Sequence, residues 1–260
     1  MRLDLLLTER GLVESRSRAK RLIETGAVLV NGVAVTKSGA EITDLSAELS
    51  ICEERFVGRG GEKLLGALSC FGIDPTDKIA LDIGASTGGF TDCLLQNGAS
   101  HVTALDAGCG QLHPKLLQDP RVTNIEKYNA RDLSPADVGL VDLVVMDVSF
   151  ISQTYILPRI PAVLLPGGAA LTLIKPQFEA GREALNKKGI VTSAKDRIRA
   201  IHRVLQCGAE NGLVCCGLAP SPIRGGDGNE EFLAYFKQGC SVDNRAIPVE
   251  KIVLEGVIYR

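Results

Sequence analysis

The sequence predicts an α/β protein in two parts: a large domain built on an open, mostly parallel sheet of seven strands, preceded by a small α+β module. Three observations carry this expectation. Beyond about residue 60, short apolar runs alternate with helical patterns; the run "IALDI" passes directly into a glycine-rich turn; and residues 2 to 50 follow a different pattern from the rest.

The small module opens with two short helical patterns, "RLDLLLTERG" and "SRSRAKRLIETG", each stopped by glycine, with Ser15 or Ser17 placed to cap the second. "AVLVNGVAV" then reads as two strands around Asn31-Gly32, the strongest short hairpin signal, and "KSGAEITDLSAELSI" continues with turns and a further strand. The charged, glycine-containing stretch "CEERFVGRGGEK" marks the boundary, giving a module over residues 1–55, a linker over 56–62 and a large domain over 63–260.

In the large domain, strands are expected at 79–83, 102–106, 122–126, 141–147, 169–175, 213–219 and 251–259. Helices are expected near 61–72, 88–98, 155–165, 194–211 and 229–237. In such a Rossmann-like sheet, with the last strand crossing back antiparallel, the ligand sits at the carboxyl ends of the strands.

Composition excludes several function classes. At 260 residues, with 45% hydrophobic and 23% charged residues, the chain is an ordinary soluble globular one, and its net charge of -2 offers nucleic acid no global attraction. Any such partner must meet a local basic patch. Eight cysteines without a C-x-x-C pair and three scattered histidines argue against metal and for reduced core thiols in a cytoplasmic protein; Cys215-Cys216 reads as part of a strand. The start "MRLDLLLTERG" is no signal peptide, and the longest uncharged apolar region, 160–174, is 15 residues broken by Pro161 and "PGG", so no membrane span is expected.

The turn in "LDIGASTGGFTDCLL" fits neither phosphate-binding pattern: Gly84, Gly88 and Gly89 do not give G-x-G-x-x-G, and no G-K-[ST] follows. A cofactor without phosphates, as in S-adenosylmethionine-dependent methyltransferases, suits it better. The turn would let backbone approach the cofactor's amino-acid part, with Asp82 facing its ammonium, while Asp106 at the next strand end would accept from both ribose hydroxyls. Gly84, Ala85, Ser86, Gly88 and Phe90 along the turn, and Asn129 after the third strand, complete the expected contacts. The plainer alternative is that Asp82 and Asp106 only cap turns.

The fourth strand ends in "VDLVVMDVSFIS", where methyltransferases commonly present the group that meets the acceptor, here Asp147. A Pro-Pro-aromatic turn for planar nitrogens and a Pro-Cys step for cytosine carbon are both missing, which leaves a hydroxyl acceptor. Lys175 in "LTLIKPQFE" lies at the rim of the same pocket unless it snorkels. Lys63 opens the first helix in "GRGGEKLLGAL", and Glu231 opens an expected late helix in "GNEEFLAYF", where Glu230 or Glu231 could simply favour the helix dipole.

Taken in order, "RLDLLLTERG", "SRSRAK", "GRGGEKLLGAL", "LDIGASTGGFTDCLL", "ALDAG", "MDVSFIS", "LIKPQFEAGR" and "GNEEFLAYF" closely resemble the TlyA family, also called haemolysin A, over almost the whole chain. Its large domain is similar to the FtsJ-type RNA 2′-O-methyltransferases. The resemblance implies a catalytic set of Lys63, Asp147, Lys175 and Glu231, S-adenosylmethionine as cofactor, and a cytidine ribose of ribosomal RNA, free or in ribosomal subunits, as substrate. It also implies that the first 55 residues form an S4-type RNA-binding domain. Chemically, a ribose hydroxyl needs a positioned base, for which Lys175 is the best candidate, with Asp147 orienting it and Glu231 fixing Lys63.

The small module supplies the local basic patch: Arg16, Arg18, Lys20 and Arg21 fall within six residues of one helix, with Arg2 and Lys37 as possible neighbours. A solvated face supported by Glu14 and Glu24 is the plainer reading. Three rival functions stand beside the main one: methylation of another RNA or small-molecule acceptor, a membrane-lytic haemolysin, and an RNA-binding protein without activity.

Overall fold

The computed structural model describes residues 1–24, 26–51, 55–239 and 247–260, and the chain divides into two compact units, Met1–Arg55 and Phe56–Arg260. Residues 52–54, in the stretch expected to mark the boundary, and Cys240 lie outside the described residues.

In the first unit, helices α1 (Leu3–Glu9) and α2 (Arg16–Glu24) pack on a three-stranded antiparallel sheet of β1 (Val28–Val30), β2 (Val33–Ala34) and β3 (Leu49–Ile51), in the order β2-β1-β3. Asn31 and Gly32 both take positive φ, 50° and 77°, as a two-residue hairpin turn demands. Of the two candidate caps, Ser15 is the one that accepts the backbone N–H of Arg18. Leu3, Leu7, Leu22, Ile23 and Val28 form the core. Beside them the buried Asp4 takes Arg2 at 3.0 Å and Arg16 at 3.1 Å.

The second unit begins earlier than its composition suggests. Residues 56–62 do not form a free linker: Phe56 is buried under α3 (Gly60–Phe71), whose Gly61 has no side chain because a Cβ there would lie 2.2 Å from the Phe56 ring. Phe56, with Val57 packed beside it and the Val57 N–H donating to Asp92 at 2.9 Å, anchors the charged stretch. The sheet comprises β4 (Ile79–Ile83), β5 (His101–Leu105), β6 (Val122–Ile125), β7 (Val141–Met146), β8 (Leu164–Ile174), β9 (Leu213–Pro220) and β10 (Phe232–Gln238). Its order is β6-β5-β4-β7-β8-β10-β9, parallel except for β10, which pairs antiparallel with β8 and β9. Cys215 and Cys216 lie in β9.

Alternate residues of the central strands feed two cores. Leu143 and Val145 of β7 face α3 and α4 (Gly89–Gln96), whereas Val144 and Met146 face the layer containing Ile201, Val204 and Leu205 of the helix Ala194–Glu210. Burial on both faces explains why these strands read as continuous apolar runs.

Three expected elements differ. Residues 229–237 are not a helix: Phe232–Gln238 is a strand, because between two neighbours its "FLAYF" is buried on both faces and shows no alternation, while its aromatic content favours extended structure. Conversely 251–259 is not a strand. Val249 and Ile252 are buried at helical spacing in the helix Val249–Glu255, which Gly256 ends at φ 71°, and from the expected strand only Tyr259 bridges to Leu218. The expected helix at 155–165 breaks into short turns at Pro158 and Pro161, and β8 starts at Leu164. Among the described residues no helix is long and apolar enough to cross a membrane.

Arg2 and Arg16 hold the Asp4 carboxyl down to about 2, against an ordinary 3.8. A depressed carboxyl adds stability that is present above pH 4 and lost as pH falls toward 2. Asp4→Asn should therefore speed amide exchange of α1 about fivefold at pH 7, the equivalent of about 1 kcal/mol for a partly solvated ion pair, and the two proteins should converge near pH 2. A difference that persists at pH 2 would contradict this linkage.

Candidate active site

The chain runs outward from β4 to β5 and β6, then returns to lay β7 on the other side of β4, so the carboxyl ends of β4 and β7 flank the switch point of the sheet. There Gly84, at φ 83°, passes so close to β7 that a Cβ would sit 2.9 Å from the Asp147 carbonyl. Only glycine fits. Gly88, at φ 93°, lets α4 start under Leu112 and Leu116.

Two adjoining cavities open at this edge, sharing Gly84, Ser86, Asp147, Ser149 and Phe150. The smaller, about 400 Å³, has apolar walls from Ile83, Leu105, Val148, Ile151 and Ile156, and polar groups from Asp106, Gln111, Tyr128 and Asn129. Asp106 accepts the backbone N–H groups of Ser86 at 2.8 Å and Gly108 at 2.7 Å. It is both a turn cap and a wall of the cavity, so its two readings coexist. Each of its oxygens retains acceptor capacity for a hydroxyl. Asn129 accepts from the backbone of Arg131.

Asp82 lies elsewhere. It is fully buried and lines neither cavity; one oxygen accepts the backbone N–H and the hydroxyl of Thr91 at 3.0 and 2.7 Å, tying β4 to α4, and the other finds no partner among the described residues. Burial, aided by the charges of Asp147 and Asp106, pushes this carboxyl up to about 7. Of the other turn residues, Ala85 and Phe90 line the larger cavity with Ser86, while Gly88 takes part through its backbone geometry alone.

The larger cavity, about 490 Å³, holds the four polar residues from distant points of the sequence. Lys63, in the first turn of α3, meets Glu231 at 2.6 Å. Lys175, one residue past β8, meets Asp147, one residue past β7, at 2.6 Å, and donates to the Ser149 hydroxyl at 2.8 Å. Both lysines are nearly buried, 7% and 8% exposed, so neither snorkels. Glu231 does not open a helix; it precedes β10, and the helix-dipole reading lapses with the helix. Glu230 pairs with Arg197 and Arg224 instead.

Sequence reasoning passed over four neighbours. Gln177 reaches Glu231 at 3.5 Å. Glu179, whose carboxyl burial pushes up, accepts the Ser152 hydroxyl at 2.5 Å and the Gln153 N–H at 2.8 Å, clamping the loop after β7 to the segment after β8. Phe150 is 92% exposed and held at φ 64°, a costly backbone for an aromatic residue, with its ring 5.3 Å from that of Phe178. An aromatic face at a cavity mouth can stack an unpaired base. The motif strings "MDVSFIS" and "LIKPQFEAGR" contain all four as well as Ser149, yet nothing in them signals the left-handed backbone.

In the first unit the six basic candidates are all exposed, but they are not equivalent. Arg2 and Arg16 are committed to Asp4, and Lys20 lies 3.8 Å from Glu24. Arg18, Arg21 and Lys37 complete the set, with the Arg18 and Lys37 side chains making no ion pair among the described residues.

Residues 56–238 match the FtsJ-like methyltransferase family and residues 1–44 match the S4 domain. Hemolysin A of Brachyspira hyodysenteriae is 44% identical over 242 residues, covering 91% of this chain and 99% of that protein. The 16S/23S rRNA (cytidine-2'-O)-methyltransferase TlyA of Mycobacterium tuberculosis is 40% identical over 239 residues, covering 91% and 89%. A solved structure of a hemolysin-like protein from Streptococcus thermophilus is 42% identical, with a TM-score of 0.77, covering 98% of this chain and 95% of that one.

The raised Asp82 carboxyl has the opposite linkage to Asp4. The folded protein holds a proton that the unfolded chain releases near 3.8, so stability of the cofactor-free protein should fall as pH rises from about 4 to 7, by on the order of 3 to 4 kcal/mol. Asp82→Asn should remove most of that slope in denaturant titrations across this range. An unchanged slope would mean that Asp82 is ionised in the fold.

Proposed function

Because the chain belongs to the FtsJ-like methyltransferase family, we propose that it transfers a methyl group from S-adenosylmethionine to the ribose 2′-hydroxyl of a cytidine in ribosomal RNA. The observation that carries this reading is the pair of buried lysine–carboxylate contacts, Lys175–Asp147 and Lys63–Glu231, in a cavity that adjoins the glycine turn.

The smaller cavity suits the cofactor's nucleoside: apolar walls for a planar base, and the Asp106 carboxylate for ribose hydroxyls. Gly84 to Ser86 would hold the amino-acid part, near the shared wall with the larger cavity. When bound, S-adenosylmethionine supplies a methyl group on a sulfonium that departs as a neutral thioether. Asp82 acts at one remove, fixing the start of α4 beneath the turn.

The acceptor hydroxyl is too weakly acidic to ionise unaided, so its proton passes to Nζ of Lys175 as the oxygen forms its bond to the methyl carbon. Asp147, 2.6 Å from Nζ, stabilises the ammonium that results. Lys63, held by Glu231, turns a second positive charge toward the oxygen as it becomes electron-rich. Positioning supplies much of the rest. In the S4-type unit, exposed basic side chains would contact RNA phosphates, which meets the need for a local patch on a chain of net charge -2.

Lys175→Ala should lower the single-turnover methylation rate by roughly a hundredfold or more, the usual cost of losing a general base, and leave S-adenosylmethionine affinity within about twofold by calorimetry. A near-normal rate would remove Lys175 as the base. Replacing Arg18 and Lys37 together with Ala should weaken RNA binding across sequences and make the salt dependence shallower by about 1 to 2 units, leaving cofactor affinity unchanged. An unaltered salt slope in filter-binding titrations would leave both as solvated surface charges.

A further inference from the structure

A lysine that acts as a base must do more than lose its proton. The neutral amine carries two N–H bonds and one lone pair, and rotation about the terminal carbon–nitrogen bond can exchange their directions. A directed hydrogen-bond acceptor on one N–H stops that exchange at one position and keeps the lone pair in the remaining two, away from the acceptor.

At Lys175 that acceptor is Ser149. Nζ donates to its hydroxyl at 2.8 Å, the only hydrogen bond the Ser149 side chain makes among the described residues, whereas Asp147 Oδ1, 2.6 Å from Nζ, is an ion contact without hydrogen-bond geometry. Both partners come from one loop, two residues apart in "DVSF". That loop is anchored further on, where Glu179 receives Ser152 and Gln153; Glu179 itself lies four residues past Lys175, so the segment bearing the base and the loop bearing its partners are locked together. Ser149 also lines both cavities.

Resting on the reading of Lys175 as the base, we propose that Ser149 is a positioning residue: it takes up one N–H of the neutral amine, a direction that the Asp147 ion contact does not fix, and so turns the lone pair toward the acceptor hydroxyl in the larger cavity. It acts through Lys175 and forms no bond in the reaction.

The test is a double-mutant cycle on the full chain with ribosomal RNA. Ser149→Ala should lower the single-turnover rate about tenfold, within the range for loss of one hydrogen bond to a catalytic amine. S-adenosylmethionine and RNA affinities should stay unchanged, and Ser149→Thr, which keeps the hydroxyl, should recover most of the rate. In a Lys175→Ala background, Ser149→Ala should cost nothing further. A full tenfold loss in that background, or a loss of affinity that accounts for the lower rate, would overturn the proposal. So would a normal rate for Ser149→Ala beside a slow Lys175→Ala, which leaves the base assignment intact; a normal rate for Lys175→Ala itself would overturn both.

Discussion

Two lysine side chains, each less than a tenth exposed, share one cavity, and each meets a carboxylate at 2.6 Å. A buried ammonium without a partner costs several kcal/mol, and two of like sign in one pocket cost more, so the pairs are a condition for the site to exist in a folded protein. That condition reaches into the topology. Parallel strands can deliver Asp147 and Lys175 because both follow strand ends at the same edge of the sheet. A strand that begins at that edge must run the other way. In β10, Phe232 pairs with Ile174, so the residue before β10 and the residue after β8, Glu231 and Lys175, come to the same edge, and Lys63 reaches Glu231 from α3. The one antiparallel strand is therefore what brings the fourth polar group to the cavity.

The remainder of the site is held by contacts that restrict movement. Gly84 permits β4 and β7 to approach until a single extra carbon would clash, Asp106 gathers two backbone N–H groups around the turn, and Glu179 joins the loops after β7 and β8. Catalysis by positioning needs this, since the reacting groups must hold a near-attack geometry without reorganising. Phe150 is the exception: an exposed aromatic ring on a strained backbone, at the wall common to both cavities, is a feature that packing alone does not require.

Much of this was legible in the sequence, and the gaps have physical causes. The turn after "IALDI", Asp106, Asp147 and Lys175 could be read because a parallel sheet puts its chemistry at strand ends, and ends are marked by apolar runs stopping at polar residues. The identity of β10 could not. A strand buried on both faces loses its alternation, so "FLAYF" resembled a helix, while "EKIVLE", rich in β-branched residues, was a helix stopped by Gly256. Asp82 lies near a strand end like Asp106, and the β4–β5 register gives the two the same parity, yet Asp82 sits inside β4, where its side chain turns to Thr91, while Asp106 lies beyond β5 at the cavity; pattern does not resolve that difference of one residue. The ties of Arg2 and Arg16 to Asp4 were also hidden, because they depend on a carboxylate twelve residues before Arg16 in the chain.

The site predicts a product as well as a rate. Ribosomal RNA methylated by the purified protein with isotopically labelled S-adenosylmethionine can be digested to nucleosides and analysed by mass spectrometry, with a parallel sample treated with alkali. A ribose 2′-O-methyl group blocks the neighbouring hydroxyl from attacking the phosphodiester, so the label should appear in cytidine, on the sugar fragment, at a linkage that resists alkaline cleavage. Label on the base fragment, at a linkage that alkali cleaves, would contradict the assignment of Lys63, Asp147, Lys175 and Glu231 to a ribose hydroxyl.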